Sequence, residues 1–419
     1  MRKTMALILT GMMALNLAGC GSTAGTGATT AAGTTAAGTT AAADTTAAGG
    51  ASEEAKTEAA TEGEIVIGCL QDITGSTSSL GQMVQAGAQW AVDEINENGG
   101  VNGKKLVMNT YDTKGDVTEA VNAYTKAVTS DKVSLIVGPP VANIALAIKE
   151  TTEQYDVPVM GLALDPSAQL KADGTPYKNM FSFQPNADQQ AAIMAKYALK
   201  NEFKTFGIIY NESNSYAISL KDPFYKTVTE NGGTCDEKLQ IAYNANDTDF
   251  KTLLAPIVNA KVDAIFAPNY TKDLVNIVTA ARALGYEGAI VCGLDACPPF
   301  NTMLGGNCDG VYCINNVDDT EADLQAMIAK VKEKTGVEAT NKFFLGYDIV
   351  KIAAKSLEEA GTDDAAALRT AIENVKGYEG LTGSITIDPN THMTVGQEMV
   401  MFTYEGTTPI MLERFGTED

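Results

Sequence analysis

The chain has 419 residues, 45% of them hydrophobic, which is enough for two or three compact units with sizeable cores. A formal charge of −22 and a pI near 4.4 exclude a nucleic-acid partner, because phosphate neutralisation needs clustered lysine and arginine. The one histidine, His392, follows the turn-like run Asp388-Pro389-Asn390-Thr391 and reads as an exposed turn residue, which nearly excludes imidazole-based acid–base or metal chemistry.

At the start of the chain, Arg2 and Lys3 precede a mostly apolar run from Met5 to Leu17 that is too short for a permanent bilayer span. This is the pattern of a secretory signal over 1–19. The junction Leu17-Ala18-Gly19-Cys20 resembles the lipobox of bacterial lipoproteins, which implies cleavage before Cys20 and lipidation of its thiol. From Gly21 to Thr61 the sequence is almost wholly Ala, Thr, Gly and Ser, with no apolar period, and is expected to be disordered. A coil of that length reaches roughly 35 Å, so 20–63 reads as a tether.

From Glu64 onward, strand-like runs alternate with amphipathic helical runs, the signature of parallel α/β units. Strands are expected at 65–70, 106–111, 133–137 and 157–160. Between them lie helices ending at Asn98-Gly99-Gly100, over 117–128 and near Tyr155. A second series begins after Phe181-Ser182-Phe183. Its helices are expected at 187–200, 218–230, 250–258 and 274–284, and its strands at 206–210, 239–241, 262–266 and 289–292. Helices at 321–334, 343–360 and 364–375 and short strands near 385–387 and 399–404 complete the chain. The fold class is α/β, with two doubly wound lobes.

Six cysteines follow Cys20: Cys69, Cys235, Cys292, Cys297, Cys308 and Cys313. The last four are close in sequence but contain no Cys-x-x-Cys pair, which argues against zinc. Export permits disulfides; a Cys297–Cys308 bridge and buried free thiols are both open readings. Neither Gly-x-Ser-x-Gly nor Gly-x-x-x-x-Gly-Lys occurs, and no Gly-x-Gly-x-x-Gly follows a strand, so an exported enzyme is disfavoured and no cofactor or metal is expected.

Several stretches resemble periplasmic binding proteins of the leucine/isoleucine/valine type. They are Gly75 to Gly81, Gly87-Ala88, the run Ala91-Val92-Asp93-Glu94-Ile95-Asn96-Glu97-Asn98-Gly99-Gly100-Val101-Asn102-Gly103, Tyr111-Asp112, Val137-Gly138-Pro139, Val157-Pro158-Val159 and Ala280 to Tyr286. The resemblance covers about 64–415. It implies a type I binding-protein fold of two lobes joined by three crossovers, near 183–185, 315–317 and 392–395. The N-terminal lobe would comprise 64–183 plus 316–393, and the C-terminal lobe 184–315 plus 394–419.

It also implies a small-molecule ligand in the cleft, at the loops beyond the strands' carboxyl ends. In the first lobe these are Ser78, Ser79 and Leu80, then Val141 and Ala142, then Ala163 and Asp165. In the second they are Tyr216, Tyr270 and Asp295, with Phe344 on the hinge side. Ala142 and Asp165 stand where the family offers hydroxyl donors. Asp165 facing Asp295 would favour a cationic or amidated solute, unless Asp165 only caps the turn at Pro166.

The implied function is an extracellular solute-binding lipoprotein of an ABC importer. It would be monomeric, anchored through Cys20 to the outer face of a membrane, as in Gram-positive bacteria, and would deliver solute to a permease. The alternative is a sensory binding protein reporting to a membrane receptor.

Overall fold

The computed structural model describes residues 63–417. The expected signal, the lipidation site Cys20 and the tether lie outside the described residues.

The first lobe starts with β1 (Glu64–Gln71), α1 (Ser78–Glu97), β2 (Lys105–Asp112), α2 (Val117–Thr129), β3 (Ile136–Val137), α3 (Ala142–Thr152), β4 (Val159–Gly161) and β5 (Met180–Ser182). All five strands are parallel, in the order β2-β1-β3-β4-β5, so the chain reverses its winding between β1 and β3. The near-continuous burial of β1 follows from helices on both faces of the sheet.

The second lobe contains α4 (Ala187–Lys200), β6 (Thr205–Asn211), α5 (Ser215–Glu230), β7 (Thr234–Tyr243), α6 (Phe250–Ala260), β8 (Ala264–Ala267), α7 (Thr271–Ala283), β9 (Ala289–Cys292), α8 (Phe300–Leu304) and β10 (Val311–Asn315). The chain then returns to the first lobe. There α9 (Ala322–Thr335), α10 (Asn341–Ala360) and α11 (Ala365–Glu373) precede the short strands β11 (Tyr378–Gly380), β12 (Gly383–Ile385), β13 (Ile387–Asp388) and β14 (Met393–Thr394). Finally β15 (Met399–Glu405) and β16 (Thr408–Phe415) join the second sheet, whose order is β16-β15-β10-β9-β8-β6-β7. Its winding reverses between β6 and β8.

The crossings between lobes run through 183–186, 316–321 and 395–398. The last differs from the expected 392–395 because Met393 and Thr394 pair with Asp388 and Ile387 and so stay with the first lobe.

Helix α10 is held against α1 by backbone-level contact. A Cβ on Gly87 would lie 1.9 Å from the Phe343 carbonyl oxygen, and one on Gly346 would lie 2.1 Å from that of Val84. Leu345, Ile349, Ile352 and Leu357 of α10 then enter the same core as Val84, Ala88, Val92 and Ile95 of α1. Each large aliphatic side chain buried there contributes about 1.5–3 kcal/mol.

His392 is not an exposed turn residue. It is 3% exposed, stacks on Phe181 with ring centroids 4.1 Å apart, and has Nδ1 3.1 Å from the Tyr177 carbonyl oxygen. Its left-handed backbone (φ 59°) turns the ring inward. Burial lowers its pKa below the ordinary 6.5, against the opposing pull of Glu373. Between its folded and unfolded pKa values only the unfolded imidazole takes up a proton, so stability present above pH 6.5 is lost as the pH falls. Thermal midpoints should therefore drop more for the wild type than for His392→Asn when the pH goes from 7 to 5.5.

The six described cysteines are buried free thiols. The close pair is Cys297 and Cys313, with sulfurs 3.5 Å apart, not Cys297 and Cys308. Cys308 instead directs its thiol to the Gly306 carbonyl at the loop before β10. Burial pushes the thiols of Cys69, Cys292 and Cys297 up. A thiol-reactive reagent should accordingly miss all six in the native chain and reach six on unfolding; four would mean that Cys297 and Cys313 had oxidised.

Candidate functional site

Both winding reversals open a crevice at the carboxyl ends of the strands, the place where doubly wound sheets bind small molecules. On the first lobe the crevice is edged by the loops after β1 and β3. Asp72, buried just past β1, organises the first loop. Its carboxylate accepts from the Gly75 N–H at 2.6 Å, and from the N–H and hydroxyl of Thr77 at 2.8 and 2.7 Å. Because the Thr77 hydroxyl is committed to Asp72, α1 begins at Ser78 without a side-chain cap. Helix α3 likewise starts after Val141, which offers no capping atom. Helices α2, α4, α5, α6 and α11 are each capped by an Asp or Asn side chain, while α7, α9 and α10 also start without a side-chain cap. Two uncapped helix N-termini flanking one crevice make a favourable seat for an anionic group.

Ser78 and Ser79 stand in the first turn of α1, Ser79 exposed, while Leu80 leans on the first core. Val141, Ala142 and Ala163 are buried at the ends of the loops after β3 and β4. They shape the wall and offer no side-chain hydrogen bond.

On the second lobe, Tyr216, Tyr270 and Asp295 come together from the loops after β6, β8 and β9. The two tyrosine rings are parallel, with centroids 5.3 Å apart. Asn269 fixes their loops to each other: its Oδ1 accepts the Asn211 N–H at 3.0 Å and the Tyr243 hydroxyl at 2.9 Å, and its Nδ2 donates to the Ile209 carbonyl. The Thr271 hydroxyl ties the β9 loop in by donating to the Asp295 carbonyl at 2.9 Å. Tyr216 is 4% exposed, and its hydroxyl has no hydrogen-bond partner of ordinary geometry, although it lies close enough to influence Asp295. Burial raises the pKa of Asp295, while Lys342 and the Tyr216 hydroxyl act in the opposite direction.

Of the other expected residues, one lies in the core and one caps a turn. Phe344 is fully buried with Val317, Leu324, Val331 and Phe343, so it is core and does not line the crevice. Asp165 uses one carboxylate oxygen to cap the turn at 166–168, accepting from the N–H and hydroxyl of Ser167 at 3.0 and 2.7 Å. The acid in whose field it acts is Asp188, and the charge acting on Asp295 is Lys342. Asp165 thus fills the turn-capping role that the sequence left open beside a ligand contact.

Sequence reasoning missed three groups. Asp72 carried a signal, an Asp at a strand's end with Gly and Thr three and five residues on. Lys342 and Asn143 carried none, since each matters through a residue far away in the chain. Asn143, at the start of α3, accepts the Ser215 N–H of α5 at 3.3 Å across the mouth of the crevice, so the lobes touch.

These features define a two-lobed α/β protein with a crevice where the two sheets reverse their winding. Residues 64–408 match the periplasmic binding protein family. The chain belongs to that family, as a type I member of the leucine/isoleucine/valine branch, a family of solute-binding proteins and not of enzymes. It is 27% identical over 347 residues to the Leu/Ile/Val-binding protein BraC3 of Rhizobium johnstonii, covering 82% of this chain and 92% of that one. Among solved structures, the leucine binding protein LivK of Thermotoga maritima aligns with a TM-score of 0.75 at 25% identity, covering 84% of this chain and 98% of that one. The branched-chain amino acid transporter substrate binding protein LivJ of Streptococcus pneumoniae, in complex with isoleucine, gives 0.73 at 25% identity, with 83% and 99% covered.

Proposed function

We propose that this chain is the amino-acid-capturing component of an ABC importer, exported and anchored outside the membrane through a lipid on Cys20. The observation that carries the reading is the polarity of the crevice. The N-termini of α1 and α3, free of side-chain caps, lie on the first lobe, and the Asp295 carboxyl, flanked by Tyr216 and Tyr270, lies on the second. An α-amino acid presents the matching pair: its carboxylate suits the N–H groups of α1 and α3, and its ammonium suits Asp295. Support comes also from the relatives, whose names record binding of leucine, isoleucine and valine. Residues Ser78 to Leu80, Val141, Ala142 and Ala163 would form the first-lobe wall. Bridging both lobes, the ligand favours the closed form, and a permease reads that form.

A thermal-shift panel of amino acids tests the capture step, since a ligand bound only to the native state raises its midpoint by an amount that grows with the logarithm of concentration. At least one amino acid should stabilise the chain in this way, and a flat panel would refute the reading. Cys20→Ala should release the protein from the membrane fraction; retention there would refute the anchor.

A further inference from the structure

The loop after β9 opens with a glycine, Gly293, which directly follows the strand and stands two residues before Asp295. Its backbone is extended, with a φ of −80°, so no left-handed turn demands a glycine there. Space does. A Cβ on Gly293 would lie 2.2 Å from the Tyr216 hydroxyl oxygen, 3.4 Å from the ring carbon that bears it and 3.8 Å from Cδ1 of Leu220. The last two are ordinary van der Waals contacts, and the first is a collision. What Gly293 makes room for is therefore one atom, the phenolic oxygen of Tyr216.

That oxygen has little freedom to retreat. Tyr216 is 4% exposed and packs in the second-lobe core with Leu220, Phe224 and Leu294. Its ring lies parallel to that of Tyr270, with 3° between the planes and 5.3 Å between the centroids. A phenol is rigid, so its oxygen moves only if the whole ring moves, and a moved ring no longer matches Tyr270. The same hydroxyl favours the ionised form of Asp295. One short stretch at the end of β9 thus supplies both the acid and the gap in which the acid's tyrosine neighbour rests.

We propose that Gly293 is a positioning residue of the site: the side chain it lacks leaves the seat of the Tyr216 hydroxyl, and that seat holds the tyrosine pair where it flanks Asp295. The proposal rests on the amino-acid reading above. Gly293 acts through Tyr216 and not on the ligand. Gly288, just before β9, is its counterpart at the opposite end of the strand, away from the crevice. A Cβ there would lie 2.4 Å from the hydroxyl of Tyr286, which donates to the Val262 and Ala289 carbonyls, so that glycine serves packing alone.

The test is a double-mutant cycle on the full chain, with Gly293→Ala, Tyr216→Phe and the two combined, read by calorimetric titration. The probe is L-leucine, replaced by the most stabilising amino acid of the thermal-shift panel where leucine gives no heat. Phenylalanine removes only the oxygen at 2.2 Å and leaves the ring carbon at 3.4 Å, so the double variant has room for both side chains. Gly293→Ala alone should weaken binding by about 10- to 100-fold, but by less than about threefold in the Tyr216→Phe background. Gly288→Ala should lower the thermal midpoint and leave affinity within about threefold of the wild type. If Gly293→Ala does not fold, a double variant that folds and binds as Tyr216→Phe does supports the proposal, and one that also fails to fold overturns it. Equal losses from Gly293→Ala in the two backgrounds, wild-type affinity in Gly293→Ala, or an equal loss of affinity in Gly288→Ala overturns the role of Gly293 and leaves the amino-acid site standing. A thermal-shift panel flat throughout overturns both.

Discussion

Asp295→Ala is expected to remove amino-acid binding, with a loss of at least about 100-fold, while leaving the fold intact or slightly more stable. The first half follows from the second lobe's chemistry: Asp295 is the acid that acts on both Tyr216 and Tyr270, whereas the Asp273 carboxylate is taken by Tyr243 and Asn211. The second half follows from its pKa, which burial raises above the ordinary 3.8. In the folded chain the ionised form is disfavoured, so the wild type gives up stability once the pH exceeds the unfolded value. The midpoint gain of Asp295→Ala should therefore appear at pH 7 and vanish below about pH 4. Asp165→Ala is the matching control. Its carboxylate caps a local turn, so the variant should lose about 1 kcal/mol of stability and change affinity less than threefold. Equal losses of binding in the two variants would restore the facing-acid pocket.

Gly87→Ala should destabilise the chain by about 2–4 kcal/mol, although alanine is the better helix former. Propensity alone predicts a gain of about 0.5–1 kcal/mol at a helix-interior glycine, so the sign of the change separates the two effects. The added Cβ would meet the Phe343 carbonyl oxygen at 1.9 Å, and backbone cannot step aside as a flexible side chain can. Separating α1 from α10 would also shift Ser78 to Leu80 at the start of α1, so affinity should fall with stability. Chemical denaturation measures the first and titration the second. A variant as stable as the wild type would show that the helices are not held at this contact.

Much of the fold was legible because its signals are local. The apolar run of β1, the alternation of strands with amphipathic helices, and the stop at Asn98-Gly99-Gly100 each lie within one short window. Strand β16 was not legible: Thr408–Phe415 mixes Glu413 and Arg414 with half-buried residues, and it becomes a strand only by pairing with β15. Nor was the burial of His392, which depends on Phe181 more than two hundred residues earlier. At the site, Tyr216, Tyr270 and Asp295 were singled out by the family resemblance, and the strands that precede them are what bring them together. Asp165 was ambiguous because an aspartate after a strand looks the same whether it caps a turn or faces a ligand; Pro166 pointed to the cap that the structure contains. Phe344 is an aromatic in a helix, and its place in the core with Phe343 depends on Val317, Leu324 and Val331, which no local window shows.

The most direct test is a crystal structure of the chain grown with the amino acid that most raises its thermal midpoint. The account predicts that ligand between the lobes, its ammonium within about 3.2 Å of the Asp295 carboxylate and its α-carboxylate on the N–H groups that open α1 or α3. A ligand bound outside the crevice, or inside it with Asp295 unengaged, would contradict the account.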